Sequence, residues 1–367
     1  MMTNGRARAE RSVGRTLVYV LLLLVIYGAA ANFALVEFIR YPGLNSAERG
    51  FFGASFYGDM LYGTAPRPYV GRVLVPWLVR GAVAITPPAA RASLARTLGV
   101  TLAATPGMEP FARLGYEFTL TRLLLFGFLL GFALALRRLA QVTIGLTGAA
   151  RDALPVVALF LLPALYGYSS QLYDFPALCL FTMGLLFVAE GRDVLYFATF
   201  AVATVNKETA ILLALVWLLI RAGKVGCGPL VGGLLLQLGI WLAIRLGIVW
   251  LYHGNPGEDV AWRLGRNIAI LASPATYLSF RAVGNWLVLP GGLSIVYLPL
   301  LAWALVTLRG SPPFLRQAFW IAVPLAITAL LFGNIDEMRI YYEFTPVLLL
   351  VLAGSVRPSF QPGLVGS

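Results

Sequence analysis

Residues 16–39 read TLVYVLLLLVIYGAAANFALVEFI, twenty-four positions with a single charge, Glu37. As a helix this stretch is about 36 Å long, more than the ~30 Å hydrocarbon core of a bilayer. Arg6, Arg8, Arg11 and Arg15 precede it, which superficially resembles a secretory leader. The run is too long for a leader's apolar core, however, and no small-residue cleavage site follows it. It reads as a retained first helix with its N-terminus in the cytoplasm, because basic flanks stay inside.

The rest of the chain repeats the pattern, with apolar runs at 120–136, 228–252 and 286–308. Over 367 residues, 59% are hydrophobic and only 12% charged, against about 25% charged in soluble domains. Mean hydropathy is +0.81. The two-residue alternation of an outer-membrane barrel is missing, which leaves an all-α, polytopic transmembrane helical bundle. The net charge of +12 comes from arginines scattered between apolar runs, so it is not a nucleic-acid footprint. Cys179 and Cys227 lie in apolar stretches and read as small core residues.

Short basic segments set the topology. They fall at Arg137/Arg138/Arg151, Arg192, Arg221/Lys224, Arg309/Arg316 and Arg357. Placing all of them in the cytoplasm gives about ten helices. The first is at 16–39, followed by a long outer segment at 40–116. Helices then come at about 117–136, 153–168 and 175–190, with a pair of short ones at 194–205 and 208–221. Next are a helix at 228–252 and a second outer segment at 253–284. The last three helices are near 286–308, 318–332 and 341–355. Residues 1–357 form a single membrane domain and 358–367 a flexible tail. As one helix 194–221 would be about 42 Å long. The favoured reading is a hairpin with Asn206-Lys207-Glu208 at its tip, a break tolerated only inside protein or against water. Amphipathic helices lying along the membrane surface are expected at 70–85 and 268–280.

In this topology most acidic residues, Glu343 among them, fall on the outer side. Four junctions bring charge to one depth: Asp59 with Arg67 and Arg72, then Asp174, then Lys207-Glu208, then Asp336-Glu337 with Arg339. A charge at the bilayer centre costs at least ~2.5–3.5 kcal/mol, so such residues face a cavity or a partner. Plainer roles exist for each. Asp174 stands where a helix N-cap is expected, Arg67 and Arg72 suit lipid headgroups, and Glu337 and Arg339 suit a rim ion pair. Arg245 lies inside an apolar run and is placed to neutralise a carboxylate in the bundle. His253, the only histidine, is at a helix exit and reads as interfacial. One His and two distant Cys do not build a zinc or haem site. The Walker loop and the Gly-x-Ser-x-Gly elbow are also missing. What remains is carboxylate chemistry beside Arg and Lys.

These residues resemble the GT-C superfamily of polytopic membrane glycosyltransferases. The likeness rests on Asp59…Tyr62 followed by Pro68-Tyr69…Arg72…Pro76, on Tyr173-Asp174 ahead of an apolar helix, on Asn206-Lys207-Glu208-Thr209-Ala210 at a hairpin tip, and on Glu337-x-Arg339 before a last helix containing Pro346. The paired Asp-Glu or Asp-x-Asp of better-defined members is absent near Asp59. Membership would imply an enzyme of the bacterial inner membrane, with its active site on the extracytoplasmic side. It would move a sugar from a polyprenyl-phosphate-linked donor to a lipid, glycan or protein acceptor. Asp59 would be the general base. Arg67, Arg72, Lys207 and Arg339 would bind the donor phosphate, and Asp174, Glu208 and Glu337 would orient the sugar or those cations. No cofactor is called for, and a divalent metal is left open. Membrane lipids are the remaining partners expected.

Two other classes use the same charges differently. In a transporter or lipid flippase they would line a path, although the matched, broken half-repeats common in such proteins are not visible. In a non-catalytic envelope scaffold they would serve stability alone.

Overall fold

A computed structural model describes residues 3–40, 56–105, 109–166, 171–283 and 287–356. The tail expected at 358–367 and the start of the first outer segment lie outside the described residues. Among the described residues the regular structure is helical apart from one short ribbon. Helix α1, Thr3–Arg40, is continuous through its basic start. It is followed by α2, Phe56–Tyr62, α3, Leu74–Ile85, and α4, Pro88–Ala103. Then come α5, Gly115–Ile144, α6, Gly148–Leu161, and α7, Asp174–Glu190. The pair α8, Asp193–Asn206, and α9, Ile211–Arg221, precedes α10, Cys227–Leu251. Two short helices follow, α11, Leu264–Ala272, and α12, Pro274–Tyr277. The ribbon consists of β1, Phe280–Val283, antiparallel to β2, Leu287–Pro290. The chain closes with α13, Tyr297–Leu308, α14, Pro313–Ala318, α15, Ala322–Phe332, and α16, Thr345–Ser355. A 3₁₀ turn, Phe319–Ile321, joins α14 to α15 in one rod.

Among the described residues, five helical stretches are long and apolar enough to cross a membrane: Thr16–Ile39, Phe111–Ile144, Gly148–Leu165, Cys227–Leu251 and Pro313–Phe332. Around them, α7 is buried on nearly every side, packed on α5, α8, α9 and α16. An element apolar all round belongs in the interior of a bundle. Small residues set the closest approaches: a Cβ on Gly131 of α5 would lie 2.8 Å from Cys179 Sγ of α7, and one on Gly233 of α10 would lie 2.3 Å from the Trp217 ring of α9.

Residues 194–221 form two helices. Lys207 is extended (φ −158°, ψ 142°) and ends α8. Arg221 Nη2 lies 2.5 Å from Asp193 Oδ1, and the Phe197 and Trp217 rings are 6.2 Å apart. The two arms therefore run antiparallel, with Lys207 at the turn. Three expectations need correction. The apolar run 286–308 is not one helix, because Pro290-Gly291-Gly292 breaks it, with Gly292 at φ +51°, and the helix proper starts at Tyr297. The amphipathic segment expected at 268–280 ends in strand β1 rather than in helix. Cys179 is buried as expected, but Cys227 is exposed at the start of α10.

The helices alternate in direction, so polar residues sort to two ends. One end carries Arg137–Asp152 (2.7 Å), Arg138–Glu190 (2.7 Å) and Arg192–Glu190 (3.4 Å), where α5, α6, α7 and α8 begin or end. Gly191, at φ +73°, caps α7 there by donating to the Val188 carbonyl. The starts of α7 and α16, the α8–α9 turn and the loop after α15 gather at the other end.

Because the Gly233 contact is with a rigid indole, Gly233→Val should destabilise the α9–α10 pair by about 1–3 kcal/mol, the usual cost of overpacking. Thermal unfolding of the purified protein in detergent checks this. An unchanged midpoint would mean that Trp217 can swing away.

Candidate functional site

Five segments meet at that second end. Tyr173 and Asp174 open α7, Lys207 and Glu208 form the α8–α9 turn, and Glu337 to Glu343 join α15 to α16. Arg72 follows the 3₁₀ turn Tyr69–Gly71, and Arg245 sits on α10. Asn206 pins the turn to α7 by donating from Nδ2 to the Tyr173 carbonyl at 2.9 Å. Trp241 Nε1 pins it to α10 by donating to the Glu208 carbonyl at 2.9 Å.

Two arginines contact Tyr173, one over its ring and one at its hydroxyl. Arg72 places its guanidinium carbon 4.1 Å from the ring centroid, a cation–π contact. The same guanidinium donates through Nη2 to Glu208 Oε1 at 2.7 Å. Arg245 approaches Glu208 Oε2 at 3.7 Å and donates to the Gly71 carbonyl at 3.0 Å. Arg339 donates through Nη1 to the Tyr173 hydroxyl and to Asp174 Oδ1, both at 3.1 Å, and through Nε to Glu337 Oε1 at 2.6 Å. The acids are held in turn: Asp174 Oδ2 accepts from the Gln171 N–H at 2.9 Å, and Glu337 Oε2 from Asn334 Nδ2 at 3.2 Å.

A third pair completes the network. Lys207 Nζ donates to Glu343 Oε1 at 2.8 Å, and the Thr209 hydroxyl donates to the same oxygen. Glu343 Oε2 is buried without a protein partner among the described residues. It borders a cavity of about 10 Å³ lined by Ala177, Phe181 and Ala203 among others, room for one water. Four cations thus face four carboxylates: Arg72 and Arg245 share Glu208, Arg339 serves both Asp174 and Glu337, and Lys207 holds Glu343.

Of the residues singled out from sequence, Arg72, Asp174, Lys207, Glu208, Glu337 and Arg339 come together. Adjacent Lys207 and Glu208 do not pair with each other but point to different partners. Glu337 and Arg339 do pair, yet as buried residues rather than at a rim, with side chains 7% and 8% exposed. Arg245 neutralises a carboxylate, as its position in an apolar run implied. Glu343 was visible only as one more outer acid, and nothing in its spacing marks it as the partner of Lys207. His253 is exposed, with Nδ1 on the Trp250 carbonyl at 2.7 Å.

Asp59 and Arg67 stand apart from the network. The Asp59 carboxylate is half-buried and accepts from the Thr64 hydroxyl at 3.0 Å, and no cation pairs with it among the described residues. Phe56, one helical turn before it, packs edge-on against Tyr69, with ring centroids 5.3 Å apart. Tyr69 in turn lies beside Arg72, 5.9 Å away, so the short helix that carries Asp59 reaches the network through Phe56 and Tyr69. Arg67 is committed elsewhere, donating to the Asn255 and Gly257 carbonyls at 3.0 and 2.7 Å and to Asp259 at 3.1 Å. Its backbone N–H donates to the Pro256 carbonyl at 2.8 Å. This clamp ties the first loop to the one after α10. It requires Gly257, whose φ is +92° and whose Cβ would meet the Arg67 carbonyl at 2.8 Å.

Among the described residues, no group of three or more His, Cys, Asp or Glu is placed to hold a metal ion. Asp336, in the loop beside the network, has its carboxyl raised above the ordinary aspartate range by burial and by the charge of Glu337. No protein family, characterised protein or solved structure matches the chain.

Removing one member of a buried ion network leaves the others uncompensated. Arg339→Met strands Asp174 and Glu337 and should cost about 3–5 kcal/mol, read as a fall in the detergent unfolding midpoint. Adding Asp174→Asn to that variant should recover part of the loss, and a further drop would refute the pairing. Asp336 has the opposite sign. A carboxyl raised in the folded state binds its proton more tightly than when unfolded, so stability falls as pH rises through that window. Asp336→Asn should therefore raise the midpoint at pH 7 and leave it unchanged at pH 3.

Proposed function

We propose that this chain is a multi-pass membrane glycosyltransferase of the GT-C type, using a polyprenyl-phosphate-linked sugar as donor. The observation that carries the reading is the convergence of four cations and four carboxylates from five segments at one end of a helical bundle, with an uncompensated carboxylate, Asp59, at its border. The basic flanks at the opposite, arginine-rich end support a cytoplasmic location for that end, and in this reading the network faces the extracytoplasmic side of a bacterial inner membrane. In that frame the shorter apolar helices complete about ten crossings.

In the reaction the acceptor hydroxyl attacks the anomeric carbon. The bond from that carbon to the phosphate oxygen breaks, and polyprenyl phosphate leaves with the bonding pair. Asp59 takes the hydroxyl proton, a role favoured by its partial exposure and by the lack of a paired cation among the described residues. Arg72, Lys207 and Arg339 receive the phosphate. An arginine fork suits two phosphate oxygens at once, and the donor competes for it with the carboxylates that now hold it. Asp174, Glu208 and Glu337 then orient the cations rather than the sugar, since each is hydrogen-bonded to one. Arg67 is given no phosphate role, because its donors close the clamp onto residues 255–259.

The test is turnover of the full chain in nanodiscs, with a panel of radiolabelled polyprenyl-phosphate sugars and extracted envelope acceptors. Asp59→Asn should lower transfer at least ~10²-fold, the usual contribution of a general base, while polyprenyl-phosphate affinity changes less than about twofold. Full activity in this variant would overturn the mechanism. Movement of the lipid across the bilayer without covalent product would instead establish a flippase.

A further inference from the structure

At the arginine-rich end, the last turn of α13 and the α14–α15 rod diverge around a cavity of about 430 Å³, within the ~300–1,000 Å³ of small-molecule sites. Its walls are apolar, with Leu305 and Leu308 on one side and Phe319 and Val323 on the other. Arg309 and Arg316 complete the lining. They flank the turn at 309–312 and both are exposed. Arg316 precedes Phe332, where the rod reaches the ion network, by 16 residues, about 24 Å of helix. The cavity is therefore separate from the network.

The two arginines differ from their neighbours. At the same end Arg137, Arg138, Arg151, Arg192 and Arg221 each have a carboxylate within 3.4 Å. Arg309 and Arg316 have none among the described residues. An apolar groove ending in two uncompensated guanidinium groups complements a molecule that is apolar along its length and anionic at one end. Inside a bilayer an acyl chain gains little from a leucine wall, because lipid is equally apolar. The selectivity must then come from the headgroup.

We propose that this groove is a binding site for one anionic glycerophospholipid of the adjoining leaflet. Its phosphodiester lies between Arg309 and Arg316, and one acyl chain runs along Leu305, Phe319 and Val323. The site is independent of the transferase reading, requiring only that the helices lie in a membrane.

Native mass spectrometry of the full chain, released from micelles holding equal dioleoylphosphatidylglycerol and dioleoylphosphatidylcholine, tests it. The wild type should retain the anionic lipid about thirtyfold more than the zwitterionic one, since each cation near the surface contributes about fivefold. Arg309→Gln with Arg316→Gln should abolish the preference. Val323→Trp, which fills the groove but keeps both charges, should abolish retention of the anionic lipid. Arg91→Gln with Arg96→Gln, an equal charge change on exposed α4, should leave both unchanged. Equal loss in that control would reduce the effect to bulk electrostatics and overturn the site. A wild type without preference would also overturn it, as would displacement of the phospholipid when an equal amount of polyprenyl phosphate is added to the micelles, or a dimer joined through this face.

Discussion

Much of the second end depends on how Arg339 is compensated. Its guanidinium sits between Asp174 and Glu337, donates to the Tyr173 hydroxyl and is almost wholly buried. A buried arginine without partners would be untenable in an apolar bundle. The pairing therefore dictates that the start of α7 and the loop before α16 lie side by side. Arg72 then stacks over the ring of Tyr173 and draws in Glu208, and with it the α8–α9 turn. Three of the ion pairs join segments distant in the chain: Arg72 to Glu208, Lys207 to Glu343, Asp174 to Arg339.

Such a network adds little net stability over apolar side chains of equal volume, because desolvation offsets most of the attraction. What it supplies is order. Helices in lipid lack a hydrophobic force to sort them, so polar contacts and small residues decide which faces meet. In this protein Gly131 and Gly233 let α5, α7, α9 and α10 approach, and the charges determine which ends coincide. The network is neutral as a whole but made of strongly polar parts.

The contrast between the two ends carries a functional argument as well. At the arginine-rich end the ion pairs are partly exposed, and pairs of that kind contribute at most about 1 kcal/mol each. At the other end they are buried, branch through tyrosine and threonine hydroxyls, and border a half-buried carboxylate. Chemistry needs desolvated, pre-oriented charge of this sort. Orientation of a protein in a membrane needs only the former.

Composition and the length of the apolar runs determined that the chain is a helical bundle, because no soluble core tolerates so few charges and each run is apolar around its whole circumference. The break at Lys207 was also legible, since Asn206-Lys207-Glu208 interrupts a run that must otherwise satisfy its backbone in lipid. The gathering of Arg72, Asp174, Lys207, Glu208, Glu337 and Arg339 could be read from their common depth. Their pairing could not, because depth places a charge along the bilayer normal and leaves its position around the bundle undefined. Only the tertiary structure decided that Lys207 meets Glu343 rather than Glu208, that Arg67 serves a loop clamp, and that Leu287–Pro290 pairs as a strand. Those outcomes depend on which neighbour lies within hydrogen-bond reach, a property of three-dimensional proximity that residue spacing along the chain does not contain.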